Sequence, residues 1–84
     1  MYLVYILKSV NFQKFYTGYT DNFSRRLSQH NDGKSIYSRR YRPWKIIYQE
    51  HFDQQLDAVK RERYLKSAAG RRWLKNKFRD NINH

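Results

Sequence analysis

After Met1 the chain opens on Tyr2 to Lys8 (YLVYILK), apolar or aromatic at both alternating positions until the final lysine. A strand with one wet face carries polar residues at every second place. This segment does not, so it predicts a central strand covered on both sides. Ser9 to Gln13 supplies a turn, and Lys14 to Thr20 (KFYTGYT) predicts a second strand forming an antiparallel hairpin with the first. Gly18 inside that strand marks a close approach to the backbone. The period then lengthens. Phe23, Arg26, Leu27 and His30 recur at three and four residues, on one face of a helix capped by Asp21 or Asn22, running to about Asn31 and stopped by Gly33. Two polar side chains therefore share a stripe that faces the core.

Lys34 to Pro43 (KSIYSRRYRP) has no clear period, and Pro43 disfavours helix just before it, so a basic loop with room for one helical turn is expected. Trp44 to Phe52 (WKIIYQEHF) predicts a third strand. Asp53 is placed to cap a helix from about Gln54 to Ala68, with Ala58, Val59, Leu65 and Ala69 as its apolar stripe. Glu62 falls in that stripe, while Lys60, Arg61, Arg63 and Lys66 point elsewhere. After Gly70 a last short helix is expected from Arg71 to about Arg79, anchored by Trp73, Leu74 and Phe78, with frayed residues beyond. No repeat or linker interrupts the chain, and its 84 residues make one α/β domain, 1–84, of order β-β-α-β-α-α.

Charge decides the class of partner. Eighteen Lys and Arg against seven Asp and Glu give a formal net charge of +11. A domain this small and this basic attracts a polyanion, because neutralised phosphates release their counterions. Nucleic acid is the expected partner, DNA ahead of RNA. A membrane is not, since no lysine-rich helix has the clean apolar face needed to lie on a bilayer. The chain has no cysteine, which excludes a disulfide framework and a thiolate zinc site and fits a reducing compartment. Met1 to Leu7 is too short and wrongly flanked for a signal peptide, so a soluble, cytoplasmic protein is expected.

Several residues are candidates for chemistry. A carboxylate on the core side, such as Glu62, is explained equally by a salt bridge to one of the many nearby arginines or by a metal ion. Arg26 and His30, one turn apart, suit a phosphate clamp beside a proton-shuttling imidazole, or a stacked arginine and a satisfied histidine. Tyr5 and Tyr16, in mid-strand, offer hydroxyls for proton transfer, though most strand tyrosines only fill the core. Tyr37, Tyr41 and Trp44 interleave with Arg39, Arg40 and Arg42, a mix that suits stacking on bases while neutralising phosphates, or a solvated basic loop packed by its own aromatics. Arg25 and Arg61 extend this basic surface as further candidate contacts to nucleic acid.

Taken together, VYI at Val4 to Ile6, YTG at Tyr16 to Gly18, TDNFSRRLSQHN at Thr20 to Asn31 and RERYLK at Arg61 to Lys66 resemble the GIY-YIG nuclease superfamily. The likeness is greatest to small stand-alone bacterial proteins of the excinuclease-subunit-C-like, UPF0213 type. It covers nearly the whole chain, and the order and spacing of the motifs carry it. Leu3 and Val4 stand where the name motif has Gly and Ile, and Thr17 where it has Ile. The resemblance implies an α+β fold with a three-stranded antiparallel sheet flanked by helices. It implies Tyr16 as general base or water activator with Tyr5 beside it, and Arg26 stabilising charge on the scissile phosphate. His30 would assist proton transfer or phosphate contact, Glu62 would hold one Mg²⁺ or Mn²⁺, and Asn76 would position a phosphate. The expected activity is metal-assisted phosphodiester hydrolysis in branched, damaged or single-stranded DNA, with no small-molecule cofactor. The rival readings are a non-catalytic nucleic-acid-binding protein that keeps the fold, and a structural RNA-binding protein.

Overall fold

The computed structural model describes residues 1–33 and 36–78, except for the side chains of Ile36 and Tyr37. The elements are β1 (Tyr2–Ser9), β2 (Phe15–Thr20), α1 (Phe23–Asn31), α2 (Ile36–Arg40), β3 (Trp44–Phe52), α3 (Gln55–Lys66) and α4 (Ala68–Lys77). The strands form one antiparallel sheet in the order β2-β1-β3. The sheet and the order of its elements are those expected from the sequence, with the single turn allowed before Pro43 realised as the five-residue helix α2.

β1 lies in the middle, and its unbroken apolar run is explained by two separate cores. Leu3, Tyr5 and Leu7 point to one face, where Trp44, Phe23, Leu27 and Tyr41 join them. Val4 and Ile6 point to the other, against Ala58 and Leu65 of α3 and Trp73 and Leu74 of α4. Ile6 pairs with Tyr48 and Leu7 with Ile46, so Ile47 is an extra residue in β3 and forms a bulge there.

Asn22 is the cap of α1, accepting a hydrogen bond from the Arg25 backbone N–H at 3.1 Å. Past its end Gly33 takes φ +79°, the left-handed conformation that a helix stop needs. Asn31 then ties α1 to β3, accepting from the Trp44 backbone N–H at 2.7 Å and donating to the Trp44 carbonyl at 3.4 Å.

Three expectations need correction. Asp53 does not cap α3; Gln54 occupies that place and makes no side-chain cap bond. The break between α3 and α4 falls at Ser67 and not at Gly70, which is buried inside α4. Ser67 ends one helix and begins the next: its hydroxyl donates to the Tyr64 carbonyl at 2.5 Å and accepts from the Gly70 N–H at 3.2 Å. Ala69 therefore belongs to α4, where it is exposed, and not to the buried stripe of α3. The expected end of the last helix at Arg79 lies outside the described residues.

Candidate active site

Adjacent strands and the following helix bring four of the expected residues to one place. Tyr5 of β1 is fully buried, and its hydroxyl lies 3.3 Å from Nε2 of His30 on α1. Tyr16 of β2 is half-buried; its ring centroid lies 6.3 Å from that of Tyr5 and 4.4 Å from that of His30. Arg26 donates to the Tyr16 hydroxyl at 3.3 Å and to Oε1 of Gln29 at 3.1 Å, and reaches the Tyr5 hydroxyl as well. Phe23 closes the floor with its ring edge-on to Tyr5. The helical spacing read in Phe23, Arg26, Leu27 and His30 is what aims all four at the sheet.

Gly18 has a specific reason here. It faces Tyr5 across the β1–β2 ladder, and a Cβ would lie 2.7 Å from the Tyr5 hydroxyl and 3.0 Å from the Tyr16 ring. Only glycine lets both tyrosines lie over this point.

Protonation follows from burial. Desolvation pushes the Tyr5 hydroxyl up to about 12, against which the nearby Arg26 cation acts only in part, so Tyr5 is a phenol at neutral pH. Desolvation, helped by Arg26, brings His30 down to about 4, so its imidazole is neutral. Because the Tyr5 oxygen faces the Arg26 donors, its own proton is free to go to Nε2 of His30. Nδ1 of His30 is buried and has no hydrogen-bond partner among the described residues.

Glu62 approaches from the other side. It sits on α3, which packs on β1 and β2 over the opposite face, yet its charge reaches Tyr5 and adds to the upward shift there. Its side chain is 17% exposed and one oxygen is 3.3 Å from the Lys66 ammonium. Among the described residues no three His, Cys, Asp or Glu side chains gather to hold a metal. A single carboxylate whose other oxygen has no partner among the described residues fits a hard cation that keeps most of its waters and takes its other ligands from phosphate.

The remaining candidates are dispersed. Arg39, Arg40 and Arg42 are exposed; Arg40 lies over the Tyr41 ring at 5.8 Å, and Tyr41 meets Phe12 edge-on at 5.4 Å. The Tyr37 side chain lies outside the described residues. Trp44 is buried, with its indole N–H on the Ser38 carbonyl at 2.7 Å, so it packs the core. Arg25 is exposed beside Asp21 at 3.6 Å. Arg61 is held by Glu50 at 2.7 Å and lies over the rings of Tyr64 and Trp73. Asn76 is exposed on α4, with no bond to the tyrosine cluster among the described residues. Two participants escaped the sequence reading: Gln29, which steadies Arg26 and was signalled only by its place three residues on, and Lys66, four residues after Glu62.

Two tyrosines from a hairpin, converging on an arginine and a histidine of the next helix, follow the arrangement that the motif order implied. The chain belongs to the GIY-YIG family, a nuclease family: the model of the GIY-YIG catalytic domain matches residues 1–78. It is similar to a UPF0213 protein of Staphylococcus haemolyticus, 38% identical over 73 residues that cover 86% of this chain and 88% of the relative. A UPF0213 protein of Clostridium perfringens is 40% identical over 67 residues, 79% of this chain and 71% of that one. One from the archaeon Natronomonas pharaonis is 37% identical over 65 residues, 76% and 75%. No solved structure matches the chain.

Proposed function

We propose that this protein is a metal-dependent endonuclease that hydrolyses phosphodiester bonds in DNA. The observation that supports it is the convergence of Tyr5, Tyr16, Arg26 and His30 on one spot, with the Glu62 charge within reach. Phosphate binding alone has no use for a buried phenol held between a neutral imidazole and a guanidinium.

In this reading a guanidinium with five N–H donors gives three to Tyr5, Tyr16 and Gln29 and keeps the rest for the scissile phosphate. Tyr16 acts as the phenolate, its oxygen facing the Arg26 cation that stabilises it; it takes a proton from the attacking water and becomes a phenol as the hydroxide adds to phosphorus. Tyr5 stays protonated and orients, donating to the neutral His30 that fixes its hydroxyl beside Arg26. One Mg²⁺ or Mn²⁺ held by Glu62 would supply charge neutralisation at the phosphate and the leaving oxygen. A chain of net charge +11 with no cysteine fits a DNA substrate and a cytoplasmic location.

The Lys66–Glu62 pair supports a second reading, in which the carboxylate is already neutralised and the fold only binds DNA or structured RNA. Labelled plasmid, single-stranded, flapped and junction DNA and structured RNA, incubated with Mg²⁺, with Mn²⁺ and with chelator, separate the two. Metal-dependent products are expected, and Tyr16→Phe should slow their formation by about 10²- to 10⁴-fold with little effect on affinity. Tight binding without products from any substrate would leave the second reading standing.

A further inference from the structure

The turn between β1 and β2, residues 10–14, leaves two apolar side chains in the open: Val10 is 52% exposed and Phe12 48%. The turn itself is firmly held. The Ser9 N–H donates to the Lys14 carbonyl at 3.0 Å, the Phe12 N–H to the buried Ser9 hydroxyl at 3.1 Å, and the Val10 N–H to the Pro43 carbonyl at 3.0 Å. The last of these ties the turn to the segment that follows α2. A ring carried on so fixed a turn binds without first having to be ordered.

Cations surround that ring. Phe12 stands edge-on to Tyr41 at 5.4 Å, and over the Tyr41 ring lie the Lys14 ammonium at 5.4 Å and the Arg40 guanidinium at 5.8 Å. Arg39 is exposed on the same short helix as Arg40. Neither residues 9–20 nor residues 36–49 contain Asp or Glu, so the charges that the two segments carry are all positive. Tyr41 packs on the core of Leu3, Tyr5, Leu7 and Trp44, which places the patch on the face of the sheet that carries the tyrosine cluster.

An exposed ring with cations on either side fits nucleic acid, the ring stacking on a base while the cations pair with the phosphates around it. A bilayer takes a broader apolar face than two side chains supply. Within an intact duplex both faces of every base are covered by its neighbours, and a ring enters only by unstacking them. At a gap, a flap or a branch the last base pair has an open face, which a ring can cover without that cost.

We infer that Phe12 is a stacking residue for the open face of a terminal base pair, with Lys14, Arg39 and Arg40 on the phosphates beside it. The partner is then DNA whose stacking is interrupted by a gap, a flap or a branch. The inference rests on the nuclease reading only for the cut that follows; the binding preference stands apart from turnover.

The test is fluorescence anisotropy in chelator, where nothing is cut, with a duplex closed at both ends by hairpin loops and the same duplex carrying a one-nucleotide gap. The gapped DNA should bind about tenfold more tightly; Phe12→Ala should erase that preference and Phe12→Trp should keep it. A 2-aminopurine at the edge of the gap should be quenched by the wild type and not by Phe12→Ala. Equal affinity for the two DNAs, or a preference that survives Phe12→Ala, overturns the inference. So does a loss of binding to phosphatidylserine vesicles in Phe12→Ala with the DNA preference intact, which would make the patch a lipid contact. The preference without cleavage in metal would sink the nuclease reading and keep the stacking residue; cleavage without the preference would do the reverse.

Discussion

His30 is the residue whose place in the site has the clearest cost. Its ring is buried between two tyrosines, which holds its pKa at about 4, whereas an unfolded chain would protonate it near the ordinary histidine value of 6.5. Above 6.5 both states are neutral and nothing is lost. As pH falls from 6.5 towards 4 the unfolded chain takes up a proton that the folded one refuses, so stability declines, by about 3 kcal/mol once both have titrated. Urea unfolding of the wild type and of His30→Gln at pH 7 and pH 4 should show the wild type losing more, by about that amount. Equal losses would mean that His30 is not held neutral. Such residues were legible where spacing alone placed them: three- and four-residue intervals put Arg26 and His30 on the sheet-facing side of α1. The apolar run of β1 already marked it as central and Tyr5 as shielded; spacing could not show that Tyr16 remains half-open, because that depends on how the neighbouring elements cover the edge strand β2.

At the scale of elements the instructive error is the joint between α3 and α4. A glycine near the end of an apolar stripe reads as a helix stop, and Gly70 follows such a stripe. The structure uses its missing side chain differently: a Cβ would lie 2.6 Å from the Leu65 Cα and would collide with the Tyr64 carbonyl, so glycine lets α4 fold back tightly on α3. The signal that could have been read was Ser67, a good cap residue three places earlier, whose hydroxyl serves both helices. Gly70→Ala separates the two explanations by sign. An exposed helical glycine would gain about 1 kcal/mol from alanine. Here the same change should cost about 3 kcal/mol in urea unfolding, because backbone must move to admit the methyl group. A stabilised variant would contradict the packing described for this joint. The strands were easier to read, since β1 is apolar on both faces and β3 begins and ends where its aromatic pattern does.

For the molecule as a whole, charge and topology divide the work. The sheet separates two cores, one under the tyrosine cluster and one under α4 and α3, the helix that carries Glu62. Sequence could indicate that Glu62 faces inward, but not which face of the sheet it covers, because that depends on the side to which the chain crosses after β3. The basic surface is broader than the site. Arg39, Arg40 and Arg42 stand exposed around Tyr41, and replacing all three with Gln should weaken DNA binding and flatten the dependence of log K on log salt by roughly 2 to 3. An unchanged slope would make that segment packing and nothing more. The central claim is that Glu62 serves the chemistry and not the fold, and cleavage by Glu62→Gln in Mg²⁺ or Mn²⁺, read beside its DNA affinity in chelator, tests it most directly. The account predicts cleavage reduced by more than about a hundredfold with affinity nearly intact. Cleavage at the wild-type rate would contradict it, leaving Glu62 as no more than the partner of Lys66.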